Sequence, residues 1–338
     1  MPARRSARIS ATLVVCCVCV LPAQTRVPDA ATVASIRQLI HTGQVRQARA
    51  RLQEFEQGDS VVAYLHGLAA YHADEHQKAV EALLPVISKL PPGTLERREA
   101  EQVLGLSLYA AGRLAEALPY LEATRAWAHD NVELQYFLGL AYLQTGKTDD
   151  ARHALARTFA VKPDSAAAHL TTAQMLIRLN LDEAAAGELK RALEKDSRLP
   201  HARYLLGQIA LFRGRLDESA EWTRGELDAN PASAMAWYQL GDVHVRQAKW
   251  EQAIVMLQRS LWLNPFYSGP YILLGRAYMK TGQTATAEGM LRRAIQYDPN
   301  NRAAHYMLAQ LLQQLGRHDE AKAEFAIAEK LQGQPGRP

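Results

Sequence analysis

The stretch YLHGLAAYHADEHQ, residues 64–77, gathers His66, His72 and His76 beside Asp74 and Glu75. Imidazoles and carboxylates are metal ligands, and two histidines four residues apart on one helix would share a face for a metal. His72 and His76 have that spacing. Between them stands Asp74, where the chain's periodicity places a turn between two helices, so the shared face is broken. The resulting expectation is a polar turn with one partly buried histidine and no metal. Thiol chemistry is equally confined, because Cys16, Cys17 and Cys19 are the only cysteines. There is no P-loop, no dinucleotide-type glycine loop after a strand, no H-E-x-x-H and no G-x-S-x-G. No catalytic residue and no cofactor are expected.

The three cysteines lie in an unusual start. MPARRSARIS carries Arg4, Arg5 and Arg8 and no acid, and ATLVVCCVCVLPA follows. A positive segment, a short apolar run and a small residue, Ala23, before Gln24 read as a secretory signal cleaved near Ala23. The run is short for a membrane span. The alternatives are an uncleaved anchor, which would be the chain's one contact with a membrane, and a lipid on one of the thiols. Val15 and Val18 precede two of those thiols, where a lipoprotein peptidase needs a small residue. The expected location is therefore secreted or periplasmic. Losing the three arginines takes the formal charge from +4 to +1 (4 − 3), and a near-neutral chain argues against general nucleic-acid binding.

Helices must position whatever the remaining 48% hydrophobic, 22% charged chain does. Segments starting at Ser60, Arg98, Val132, Ala166, Pro200, Ala234, Ser268 and Arg302 align, and from Arg98 onward the period is 34 residues. Small residues recur at the eighth position (Gly67, Gly105, Gly139, Ala173, Gly207, Gly241, Gly275, Ala309) and the twentieth (Ala79 through Ala321). Two helices must cross closely there. The fifteenth position is usually a helix stopper, such as Gly112, Gly146, Asn180 or Gly282, and Pro91, Pro163, Pro231, Pro265 and Pro299 close repeats. Glycine ends a first helix cheaply in the left-handed conformation, and proline stops the second. Each unit is thus a pair of antiparallel helices.

The motif W-x2-L-G-x2-Y…A…P at this period resembles the tetratricopeptide repeat. Trp237, Leu240, Gly241, Ala253 and Pro265 carry it, and Tyr271, Leu274, Gly275, Tyr278, Ala287 and Pro299 repeat it. The resemblance implies an all-α, right-handed superhelical solenoid of stacked helix pairs. Its inner concave wall would come mostly from the first helix of each pair. The expected organisation is a signal at 1–23, a linker at 24–30, a degenerate helical repeat at 31–59, about eight tandem repeats over 60–332, and a disordered tail at 333–338. The insertion TLER at 94–97 predicts a local irregularity and no domain break. Trp127, Trp237, Trp250 and Trp262 are read as core or ridge packing, and His244 and His305 as packing residues at aromatic positions.

In the family the fifth, ninth and thirteenth positions face the groove. The fifth gives Tyr64, Tyr136, Tyr204, Tyr238 and Tyr306, which suit either peptide binding or packing on the next repeat. The ninth and thirteenth change from apolar, as at Leu106 and Leu140, to polar and basic, with Arg178, Asp242, Arg246, Arg276 and Lys280. These basic residues either hold a partner's carboxylates or form a solvated wall. The residues expected to form a partner-binding groove are Tyr136, Leu140, Arg178, Tyr204, Tyr238, Asp242, Arg246, Arg276, Lys280 and Tyr306. The expected function is an exported, non-enzymatic scaffold that holds a peptide or helix, with acids among its contacts. Alternatives are an accessory chain that recruits substrate to a separate enzyme, as resembling proteins do for glycosyltransferases, and a cell-wall polysaccharide binder.

Overall fold

The computed structural model describes residues 27–56 and 58–332. The expected signal segment, its cleavage point and the expected tail lie outside the described residues.

Eighteen α-helices are packed as consecutive pairs among the described residues. They are α1 (Ala30–His41) with α2 (Val45–Leu52), α3 (Ser60–Tyr71) with α4 (His76–Leu83), and α5 (Leu95–Ala110) with α6 (Leu114–Arg125). Next come α7 (Val132–Gln144) with α8 (Thr148–Thr158), α9 (Ala166–Arg178) with α10 (Asp182–Lys195), and α11 (Ala202–Phe212) with α12 (Leu216–Ala229). The last are α13 (Ala234–Arg246) with α14 (Trp250–Leu263), α15 (Ser268–Lys280) with α16 (Thr284–Tyr297), and α17 (Arg302–Gln314) with α18 (His318–Gln332). The all-helical architecture expected from the 34-residue period is the one observed.

The two helices of a pair begin differently, and the sequence says why. Most first helices start behind a side-chain cap: Asp59 accepts from the amides of Val61 and Val62 at 2.8 and 3.0 Å, and Asn131 accepts from Leu134 at 3.0 Å. Such caps satisfy amides that have no intrahelical partner. Second helices start instead from a tight reversal. In α13–α14 the Lys249 amide returns to the His244 carbonyl at 2.9 Å, and in α15–α16 the Gln283 amide returns to Tyr278 at 2.9 Å. That reversal requires positive φ at the residue between. Gly282 supplies it at 77°, whereas Ala248 is held at 56° despite its Cβ.

Close packing follows from the small residues. A Cβ placed on Gly241 would lie 2.6 Å from Leu257 Cδ2, and one on Gly275 would lie 2.6 Å from Leu291 Cδ2. The glycines of α3, α5, α7, α13 and α15 thus each seat a leucine of their own second helix, whereas Gly207 of α11 faces Thr223 and Gln239. The closing prolines have a second role. Trp237 Nε1 donates to the Pro231 carbonyl at 2.9 Å, and the Tyr271 hydroxyl donates to the Pro265 carbonyl at 3.0 Å. His305 Nε2 lies 3.0 Å from the Pro299 carbonyl oxygen. The fourth residue of these repeats therefore staples the preceding loop.

The chain forms two compact units, divided between His129 and Asp130. In the first, the predicted irregularity is a single 3-10 turn at Ile87–Lys89, followed by α5, whose sixteen residues begin behind Thr94. The second unit holds α7 to α18 and every residue expected to bind a partner.

Candidate functional site

Within the second unit, α11, α13, α15 and α17 pack one against the next. Each buries the side that faces its own second helix. In α15, Leu274, Gly275, Ala277 and Tyr278 are buried, Ile272 is half-buried, and Arg276 and Lys280 are exposed. In α17 the buried set is Leu308, Ala309, Leu311 and Leu312, while Tyr306, Gln310 and Gln314 are exposed. Spacings of four residues stay on one helix face, so the fifth, ninth and thirteenth positions make a solvent-facing stripe. Tyr204, Gln208 and Phe212 continue it on α11, and Tyr238, Asp242 and Arg246 on α13. Tyr136 and Leu140 on α7 are half-buried, and Arg178 on α9 is exposed.

Charge is distributed unevenly along this stripe. Arg246 turns its guanidinium onto Asp242 of its own helix, with both nitrogen–oxygen distances 3.1 Å. Most of its bidentate capacity is spent there. Arg178, Arg276 and Lys280 are exposed, and among the described residues none of them forms an ion pair. The unpaired cations at adjacent turns of one helix are therefore Arg276 and Lys280 of α15.

The aromatic residues separate into two groups. Tyr238 packs edge-on against Tyr267 at 5.2 Å, and burial pushes the hydroxyls of both Tyr238 and Tyr204 above the usual phenol range. Both stay neutral donors at any physiological pH. Tyr306 is 45% exposed beside Phe325, and Phe212 is 77% exposed. Tyr64 does not belong to a groove at all. It is fully buried and its hydroxyl donates to Glu99, which α5 carries across it. Of the two readings open for the fifth position, packing is the one found here, because the lengthened α5 covers this tyrosine.

Trp262 corrects another expectation. It is 70% exposed and not part of the core, with the Arg259 guanidinium 4.2 Å above its ring centre. Phe266, 75% exposed, meets Tyr297 edge-on at 5.9 Å. This aromatic surface on α14, α16 and their loops was absent from the sequence reading.

The histidine stretch is a turn, as its spacing suggested. His72 ends α3, His76 starts α4, and Asp74 between them has φ 57°. The His41 and His72 rings pack edge-on at 5.3 Å, and His41 Nε2 lies 3.5 Å from Glu99. Among the described residues no group of three potential ligands comes together to hold a metal. Burial holds the imidazoles of His66 and His72 below their ordinary range, and Arg49 adds to this at His66.

A buried polar cluster was also missed. His169 Nδ1 lies 2.7 Å from Glu188, which in turn contacts Arg191 at 2.8 Å and Arg152 at 3.6 Å. Arg152 also donates to the Pro163 carbonyl at 3.1 Å. Glu188 is 1% exposed. The available signal was polar residues at repeat positions filled elsewhere by Ile254, Tyr271 and Met290. His244 is buried as expected, at 5% exposure, and its Nδ1 has no partner among the described residues.

Models of the tetratricopeptide repeat match residues 108–175 and 278–335, and a second such model matches 183–234 and 204–265. The chain is 29% identical over 186 residues to the Vi polysaccharide export protein VexE of Salmonella typhi, an alignment covering 52% of this chain and 27% of that one. The chain thus spans about a quarter of that relative's length. Among solved structures, PilF of Pseudomonas aeruginosa is 22% identical over 60% of this chain and 93% of its own, at a TM-score of 0.49. MamA of Desulfovibrio magneticus RS-1 is 22% identical over 50% of this chain and 96% of its own, at a TM-score of 0.46.

Proposed function

From the premise that the chain is a tetratricopeptide repeat protein, we propose that it is an exported scaffold that holds a segment of another protein on the stripe of its second unit. The observation that carries this reading is the pair Arg276 and Lys280, exposed and unpaired on α15, between the exposed rings of Phe212 and Tyr306. Cations without intramolecular partners are free to pair with a ligand's carboxylates, and exposed rings offer apolar area to its neighbours. Arg246 contributes less, because Asp242 already occupies its fork. Export rests on Arg4, Arg5, Arg8 and the apolar run that ends near Ala23. Among the described residues no helix is long and apolar enough to cross a membrane.

The test is affinity capture from an envelope fraction, using the full chain beside its R276E/K280E variant. A partner retained by the first and lost by the second supports the stripe. Identical captured sets would remove it.

A second reading, association with polysaccharide export, is favoured by the likeness to VexE and by the exposed Trp262, Phe266 and Tyr297. Flat rings with an arginine close by can stack on sugar faces. A glycan array probed with the chain and with W262A/F266A decides it. Glycan binding that the substitutions abolish would favour it, and its absence would leave the protein-binding scaffold.

A further inference from the structure

We infer that the stripe reads an extended partner segment in a fixed register: an apolar residue at Phe212, a carboxylate about six residues along at Arg276 and Lys280, and a second apolar residue about four further at Tyr306. This rests on the peptide-holding reading above. The spacing comes from the stacking. Phe212, the Arg276–Lys280 pair and Tyr306 stand on α11, α15 and α17, and α13 lies between the first two. Packed helices stand roughly 10 Å apart, and an extended chain advances about 3.3 Å per residue. One repeat therefore corresponds to about three partner residues. Two repeats separate Phe212 from the cations, or about six partner residues. One repeat separates the cations from Tyr306, which also sits about six residues nearer its helix start, so that step is about 13 Å or about four partner residues.

The ninth positions favour an extended segment over a helix. Gln208 and Gln310 flank the path, and among the described residues neither side chain makes a hydrogen bond. A carboxamide both donates and accepts. It suits a backbone whose amides and carbonyls are open, and a helix interior offers neither. The middle of the path is different. Asp242 holds Arg246 at 3.1 Å, so a second acid three residues before the first meets a neutralised pair and gains little. The acid is thereby assigned to one place, over α15.

The experiment is selection of a displayed library of random twelve-residue peptides on the full chain, with depletion against R276E/K280E. Both variant sites are exposed, and unchanged helicity by circular dichroism verifies folding. The expected outcome is a family with one acid and apolar residues about six positions to one side and about four to the other, the chain direction being set by which side is which. Moving that acid by two positions should weaken binding at least ten-fold, and F212A or Y306A should each remove the preference for its own apolar position. Peptides that need Arg276 and Lys280 but show no fixed spacing would overturn the register and leave the scaffold reading standing. Failure to enrich any peptide over the depleting variant would overturn both.

Discussion

The same place in two parts of the second unit, with three helices between them, is filled in opposite ways. Where α14, α15 and α16 meet, it holds Ile254, Tyr271 and Met290 beside the buried leucines 257 and 291. Where α8, α9 and α10 meet, the corresponding residues are Arg152, His169 and Glu188, all nearly inaccessible to solvent. The backbone repeat is the same, and the loop staple survives in both. Tyr271 reaches the Pro265 carbonyl in one, and Arg152 reaches the Pro163 carbonyl in the other. What differs is how each responds to change. An apolar seam loses contact area gradually, whereas a buried charged seam depends on every member, because an unpaired buried charge costs more than a pair returns.

The largest expected effect follows directly. Glu188→Leu removes the carboxylate from His169 and one of three from Arg152, which keeps Asp149 at 2.7 Å and Asp164 at 3.6 Å. It should cost about 3 kcal/mol in denaturant unfolding, the low end for a broken buried pair. Transplanting the other seam should repair it. The triple variant Arg152→Ile, His169→Tyr, Glu188→Met should match the wild type or exceed it by about 1–4 kcal/mol. A triple variant as damaged as the single would show that the charged cluster contributes net stability of its own.

In the apolar seam, Gly241→Leu forces Leu257 aside and should cost about 1–3 kcal/mol by overpacking. Faster hydrogen exchange should centre on α13 to α16, since repeats are stabilised by their neighbours. Uniform exchange across all described helices would contradict that.

Acid should also separate adjacent repeats. His244 is buried, and desolvation, with the nearby Arg224 charge, holds its imidazole below the ordinary 6.5. The unfolded chain then takes up the proton first. This contribution to stability is full above 6.5, falls as pH drops through that value, and levels off below the folded-state pKa. Tyr278 fills the same position one repeat on, where its hydroxyl accepts from Gln258 at 2.9 Å. His244→Leu should flatten the decline in stability between about pH 7 and 5. An unaltered slope would assign the effect to His66 and His72 of the first unit, whose imidazoles burial also lowers.

The smallest difference is in the turns. Ala248 takes a φ of 56° where the next repeat uses Gly282 at 77°. Ala248→Gly should gain up to about 1 kcal/mol by relieving the left-handed alanine, measured as a shift in the denaturation midpoint.

The sequence makes the framework legible because its determinants are local. A stopper at the fifteenth position, small residues at the eighth and twentieth, and a closing proline each act within one hairpin. Gly241 against Leu257 and Asp74 at positive φ are both readable from spacing. The Asp242–Arg246 fork has the four-residue spacing of a helical pair, yet the sequence reading set Arg246 among the cations open to a partner. Burial that depends on other elements was not legible. Tyr64 disappears because α5 brings Glu99 to it, and Trp262 stays in solvent because no helix among the described residues covers that end of α14. The charged seam joins residues from three helices, and no single repeat shows it.

The central claim is that the open stripe of the second unit binds through Arg276 and Lys280 of α15. The most direct measurement is the affinity of a selected or captured segment for the wild type and for R276E/K280E, by titration calorimetry at low and high salt. Each charge-assisted contact removed should cost about 1.5–3 kcal/mol, and wild-type binding should weaken as salt screens the attraction. An affinity that ignores both the substitution and the salt would contradict the account and move the search to the half-buried surface of Tyr136 and Leu140.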